Sequence, residues 1–256
     1  MKLKIGFIGS GNVAWHLAHA LDSAGHTISQ VISRNENHAK ELAGKFGAFF
    51  SNRLDTFDTR LDVCLICVSD DQIDQVINAL PASTCIIAHT CGSQPLDVLQ
   101  PASPNIGVFY PLQSFSKHKV VDMYKVPFLL EASNNRTFDR LESLADGISN
   151  KVSRANSETR LKYHLAAVFV NNFVNNLFDK AAQYLEASHL DFSVLKPIIL
   201  ETASKVQELT PKEAQTGPAR RGDIETLTKH RKLLANHPRL LELYDFLSSD
   251  LGQSEE

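Results

Sequence analysis

KLKIGFIGSGNVAWHLAHAL, residues 2–21, decides how the rest of the chain is read. Its first part, 2–9, is a short apolar run with Ile and Phe, and a strand is expected there. From residue 12 the period changes. Val13, Leu17 and Leu21 recur at helical spacing, and Gly25 is placed to end a helix over 12–25. Between the two lies Gly9-Ser10-Gly11-Asn12-Val13-Ala14, a dinucleotide fingerprint with Ala in the third glycine position. Gly9 permits a tight turn out of the strand, Gly11 lets the backbone approach a pyrophosphate, and small Ala14 lets the helix pack on the strand. The helix start then offers N–H groups and a partial positive charge to phosphates. Ser10, Asn12 and Val13 complete the expected phosphate-binding turn. The competing reading is a glycine turn kept only for packing.

Outward from this unit the alternation continues. Strands are expected at 28–33, 48–50, 62–68, 85–90, 105–110 and 126–132, and helices at 37–47 and 137–148, with a short segment 151–155 closing the series. The run DVCLICV, 62–68, is continuously apolar, as when helices cover both faces of a sheet. An α/β fold is expected: a doubly wound, mostly parallel Rossmann sheet over residues 1–155. From Glu158 the pattern is helical. Residues 158–188 hold no glycine or proline and read as one long helix. Pro197 suits the first turn of the next helix, and Asp223 suits the N-cap of a later one. Residues 156–256 are therefore expected to form an all-helical substrate and dimerisation domain, with the terminal GQSEE, 252–256, disordered.

Bulk properties narrow the function classes. The chain has 256 residues, 43% of them apolar, and a net charge of −3. That balance argues against nucleic acid or an anionic membrane as the main partner. The start does not read as a secretory signal, and no apolar run is long enough to span a bilayer, so a cytoplasmic location is expected. Cys64 and Cys67 form C-x-x-C inside a strand, where an offset of three sends them to opposite faces. With Cys85 and Cys91 they are expected to be reduced and buried, and no metal site is expected.

The end of the second strand selects the cofactor. An NAD site usually carries an acid there for the ribose hydroxyls. This chain has Ser33-Arg34-Asn35, and its first acid is Glu36. Arg34 suits a 2′-phosphate, with Ser33 and Asn35 as hydrogen-bond donors, so NADP is expected over NAD. Ser69 and Asp70, at the carboxyl end of the 62–68 strand, are expected to face the cofactor. His89, ending the next strand, is a candidate for proton transfer or else a structural hydrogen-bonding residue.

The glycine fingerprint with its Ser-Arg, VSDDQI (68–73), HTCGS (89–93), YPLQSFS (110–116), YHLAAVFVNN (163–172) and TGPARRGD (216–223) together resemble a family of NADP oxidoreductases. Its members join a Rossmann-like domain to a helical C-terminal domain. The first half is also similar to deazaflavin-coenzyme-dependent NADP reductases and to pyrroline-5-carboxylate reductase, and the layout resembles the 6-phosphogluconate and β-hydroxyacid dehydrogenases. The resemblance implies the cofactor class more than the reaction. β-Hydroxyacid dehydrogenases carry Lys and Asn one turn apart on the first long helix of the second domain. Here Lys162 is followed by Ala166, so that chemistry is not expected. The helix offers instead His164, Asn171, Asn172 and Asn175, and His164, Asn171 and Asn175, at i, i+7 and i+11, share a face.

His164 is the expected acid or base, because an ordinary imidazole titrates near neutral pH. Asn171 and Asn172 are alternative polarising donors. Gln113 and Ser114, with Tyr110, are expected to present donors to cofactor or substrate. Arg220 or Arg221, in a loop stiffened by Gly217, Pro218 and Gly222, is expected to clamp an anionic substrate group. The expected activity is hydride transfer between NADPH and a small, anionic carbonyl or imine compound. A non-catalytic NADP-binding sensor is the alternative. The apolar long helix predicts a homodimer through the helical domain.

Overall fold

The computed structural model describes residues 2–252. Residues 253–256, part of the tail expected to be disordered, lie outside the described residues. By contacts the chain divides into two compact units, Met1–Asn172 and Phe173–Glu256. The change of sequence pattern near residue 156 and this contact boundary therefore fall at different places, the second of them inside a continuous helical stretch.

The first unit is built on one sheet of eight strands: β1 Lys4–Ile8, β2 Thr27–Ile32, β3 Phe49–Ser51, β4 Val63–Ile66, β5 Ile86–His89, β6 Ile106–Pro111, β7 Phe128–Ala132 and β8 Val152–Arg154. Their spatial order is β3-β2-β1-β4-β5-β6-β7-β8. Every pairing is parallel except that of β6 with β7. The chain starts in the middle, winds outward to β3, then returns across β1 to β4. That reversal makes β1 and β4 the switch point, beyond whose carboxyl ends ligands bind in such sheets.

Four helices belong with this sheet: α1 Asn12–Ser23, α2 Glu36–Gly44, α3 Ile73–Ala79 and α4 Asn135–Asp146. Each α1 residue at the helical repeat, Ala14, Leu17, Ala18 and Leu21, is buried. Together with α2 and α4 they pack on one face around Ile5, Phe7, Leu65 and Phe109. The other face packs Ile8, Cys64, Ile66 and Ile87 against Ile73, Val76 and Ile77 of α3. Burial on both faces explains why β4 reads as an unbroken apolar run. Cys64 and Cys67 fall in the two different clusters, and all four cysteines are free and buried. Burial raises the Cys67 thiol to about 12, so this sulfur stays protonated and packs as a small hydrophobe.

The unit ends with α5, Ser157–Ala167, whose N-cap Asn156 accepts from the Thr159 amide at 2.9 Å. The helix runs on without a break, but Val168–Phe173 is wound as a π-helix before α6, Val174–Ala187, resumes α-geometry. This corrects the expectation of a uniform helix. A π turn inserts a residue, which rotates the later part of the helix by about 100°. The spacing that put His164, Asn171 and Asn175 on one face assumes no such turn.

The second unit continues with α7 Lys196–Glu208, the short α8 Pro211–Ala214, α9 Ile224–Leu233 and α10 Pro238–Gly252. Pro197 lies in the first turn of α7, and Asp223 caps α9 by accepting from the Thr226 amide at 3.0 Å. The turn α8, closed by a capping box between Thr210 and Glu213, is not legible in the sequence as a separate helix. Among the described residues of this unit only Leu227 and Leu234 are buried apolar side chains. None of the described helices is long and apolar enough to cross a membrane.

Candidate functional site

Register brings the carboxyl ends of four strands into a row. Ile8 pairs with Ile32 of β2 and with Ile66 of β4, and Ile66 pairs with His89 of β5. The next residues, Gly9, Ser33, Cys67 and Thr90, form the upper edge. Gly9 turns here with φ +103°. A Cβ added to it would lie 2.2 Å from the Cys67 carbonyl oxygen, so the residue is glycine for both conformation and space. Its amide donates to the Ile32 carbonyl at 2.7 Å. Around Gly11, by contrast, a Cβ would meet nothing within 4 Å. Gly11 is the N-cap of α1, and no side chain caps the helix or places an acid in its first turn. Open space over uncapped amides at a positive helix end suits a pyrophosphate.

A cavity of about 700 Å³ extends from this turn toward β2 and β3. Among the expected cofactor residues, Gly9, Ser10, Gly11, Ser33, Arg34, Asn35 and Ser69 line it. The Ser10 hydroxyl donates to Ser33 Oγ at 2.9 Å, which joins the glycine turn to the end of β2. Arg34 is exposed and donates to Gln72 Oε1 at 3.0 Å across the cavity, while Asn35 caps α2 through the His38 amide. Three expected residues do not line the cavity. Val13 packs its side chain against the core, so that only its backbone faces the helix start. Asn12 Oδ1 accepts from the Lys117 amide at 3.3 Å. Asp70 accepts from the Ser93 hydroxyl, and its carbonyl accepts from Gln94 Nε2 at 3.2 Å. Arg53, which no motif in the sequence marks, lines the cavity as well.

A second cluster lies over β4, β5 and β6. Tyr110 Oη and His164 Nδ1 are hydrogen-bonded at 3.1 Å. The His164 ring is pressed against Gly92, where an added Cβ would come within 2.4 Å of Nδ1. Burial first, and then the Asp70 charge, raise the Tyr110 phenol above its ordinary value, so it stays protonated. His89 is fully buried, with Nδ1 accepting from the Cys91 amide at 3.1 Å and Nε2–H donating to the Pro95 carbonyl at 3.3 Å. Burial, reinforced by the Arg160 charge, lowers it from 6.5 to about 4. The imidazole is thus a neutral brace of the 90–95 loop. Its ring is buried with both nitrogens engaged, which favours the structural reading of this residue over the proton-transfer one.

Arg160, one turn before His164, is the other group that sequence reasoning missed. It is completely buried and donates to Glu131 Oε2 at 2.6 Å, to the Gln94 carbonyl and to Ser157 Oγ at 3.3 Å. A buried charge of this kind persists only when paired. It ties α5 to β7 and to the loop that carries Gly92. No local pattern marks it, because an arginine near a helix start usually reads as solvated.

The remaining candidates lie each within its own unit. Gln113 Oε1 accepts from the Ser114 amide, and both residues are exposed on the loop after β6. Asn171 and Asn172 are exposed within the π turn, 3.5 Å from each other, and Asn175 is exposed on α6. In the second unit Arg220 Nη1 donates to the Lys212 and Gln215 carbonyls at 2.5 and 2.8 Å. Arg221 is exposed on the same loop.

A switch-point crevice, a glycine turn and a phosphate-sized opening over a helix start define a dinucleotide-binding oxidoreductase fold. The family described as NADP oxidoreductase, coenzyme F420-dependent, matches residues 4–89, and a domain of unknown function matches residues 126–251. A Bacteroides fragilis protein assigned as an NADP oxidoreductase superposes with a TM-score of 0.91 at 39% identity, over 98% of each chain. This chain belongs to the NADP oxidoreductase family of the Bacteroides fragilis protein, with NADP as the cofactor. Two further structures share the fold at 12% identity. One is a reductive aminase from Aspergillus terreus in complex with NADPH, with a TM-score of 0.75 over 100% of this chain and 95% of that one. The other is 1-pyrroline-5-carboxylate reductase from Streptococcus pyogenes, with a TM-score of 0.65 over 98% of each. No curated protein shows detectable sequence similarity to the chain.

The glycine turn and the buried imidazole each set an expected outcome. Gly9→Ala forces both a strained φ and a clash with backbone, and should cost more than about 2 kcal/mol in urea denaturation. Gly11→Ala should leave the midpoint nearly unchanged while weakening NADPH binding; equal losses for the two variants would contradict the close-approach argument. For His89, the unfolded chain binds a proton between pH 6.5 and 4 that the folded chain does not. Its contribution is complete above pH 6.5 and is lost as pH falls toward 4, by about 3 kcal/mol. The stability gap between the wild type and His89→Asn should narrow by about that amount over this window, and parallel decline would show that the ring is not held neutral.

Proposed function

We propose that the protein is an NADP(H)-dependent reductase that transfers a hydride between NADPH and a small carbonyl or imine compound. The observation that carries this reading is the Tyr110–His164 pair at 3.1 Å over the carboxyl ends of the strands. The amides at the start of α1 would hold the pyrophosphate and the ends of β2 and β3 the adenosine, which would leave the ends of β4 and β5 to the reactive half of the cofactor. The loop Cys91–Ser93, Tyr110 and His164 occupy that side. NADPH supplies the hydride when bound; the chain must orient the acceptor, exclude water and provide the proton.

His164 is the group proposed to hold that proton. In its charged form, Nδ1–H bonds to the Tyr110 oxygen and Nε2–H is given to the acceptor oxygen or nitrogen, which leaves a neutral ring. Tyr110 positions the imidazole, and Gly92 lets the two approach. Within the 216–223 loop the guanidinium of Arg220 is occupied by two carbonyls, which leaves Arg221 as the better proposed anion-binding group of that loop. The fold shared with a reductive aminase and a pyrroline-5-carboxylate reductase makes carbonyl and imine compounds the first panel to assay.

A homodimer belongs to the same proposal. The second unit exposes Ile198 and Leu200 on α7 and Phe246 on α10, and among its described residues it buries only two apolar side chains. A helical unit of this size with so small a core needs a further apolar surface, and a second copy of the chain supplies one. Sedimentation at micromolar concentration should show a dimer; a stable monomer would remove this part.

Turnover is tested by loss of 340 nm absorbance with the panel. His164→Ala should lower it by roughly 100-fold or more and leave NADPH affinity within about twofold, as for a group that acts only on the reacting atoms. Full retained turnover would rule out His164 as the acid. Tight NADPH binding by the wild type with no turnover on any compound would favour the sensor reading.

A further inference from the structure

We propose that Arg53 is a second ligand for the cofactor's 2′-phosphate, so that the choice of NADP over NAD is made by two adjacent strand ends and not by the β2 turn alone. The proposal rests on the cofactor reading and is independent of the reaction. Ile32 of β2 pairs in register with Ser51 of β3, and the Ser33 amide donates to the Ser51 carbonyl at 3.0 Å. Arg34 and Arg53 each lie two residues beyond that pair. Parallel strands about 4.8 Å apart thus deliver two guanidinium groups to the same rim, and both residues line the same cavity.

The Arg53 backbone is held in place. Its amide donates to the buried Ser51 hydroxyl at 3.0 Å, and its carbonyl accepts from Thr56 Oγ1 at 2.6 Å. The guanidinium forms a two-point pair with Asp55, Nε to Oδ1 at 3.0 Å and Nη2 to Oδ2. Both partners are well exposed, at 71% and 61% for the side chains. An exposed pair is worth little in water, so a doubly charged phosphate can take over the fork that Asp55 holds. Arg34 is held more weakly still, by one hydrogen bond to the neutral Gln72. Asp55 is then an internal competitor that keeps the fork presented and lowers its affinity for anions.

The test is binding, read by titration with NADPH, NADH, adenosine 2′,5′-bisphosphate and AMP. Arg53→Ala should weaken NADPH and the bisphosphate by roughly 10-fold to 100-fold, as for loss of a charge-assisted hydrogen bond, and leave NADH and AMP within about twofold. Arg53→Lys should retain part of the discrimination. Asp55→Asn frees the fork and removes a negative charge, and should tighten NADPH severalfold without changing NADH. An Arg53→Ala variant that binds NADPH like the wild type, or that loses NADPH and NADH equally, would overturn the assignment. Failure of the unmodified protein to bind NADPH at all would instead overturn the cofactor reading on which it stands.

Discussion

Gly9 leaves β1 directly against the Cys67 carbonyl, and its amide and that of Cys67 tie the ends of β2, β1 and β4 at one point, through 2.7 Å bonds to Ile32 and Ile8. No side chain fits into this crossing. Helix α1 starts soon after and points its uncapped amides at the space above. Where the α1 amides would hold a phosphate, and which strand ends would remain for the proposed chemistry, depend on that one close approach. A change of register by a single residue would turn every inward side chain of β1 to the other face.

On the far side of the switch point the constraint is electrostatic. Arg160 is buried, so it must be paired, and its partners Glu131 and the Gln94 carbonyl come from two different segments. Neutral, buried His89 braces the same loop from below. Between them these two groups hold Gly92 where His164 can lie against it and bond Tyr110. The polar interior of the first unit therefore places the proposed proton donor, and the apolar core only supports the strands beneath it.

The second unit is held together differently. Its helices carry caps and stops that local chemistry dictates, yet few apolar residues find cover among the described residues. Arg220 commits its guanidinium to carbonyls at the end of α8, while Arg221 stays exposed. Membership of the NADP oxidoreductase family defines the cofactor, whereas the reaction depends on how individual side chains are set, because one fold serves many chemistries.

Much of this molecule is legible without coordinates. The alternation of strands and helices, the glycine turn, Pro197 in a first turn and the Asp223 cap are local features, set by side-chain period, by φ and by a hydrogen bond spanning three residues. Such terms act within a few positions, and so they can be read along the chain. Tertiary structure alone decided that β7 runs antiparallel to β6, that Arg53 reaches the rim beside Arg34, that Arg160 is buried, that Tyr110 meets His164 and that the long helix takes a π turn. Strand register and helix winding depend on packing between segments tens of residues apart, and no short-range pattern encodes which distant group will arrive.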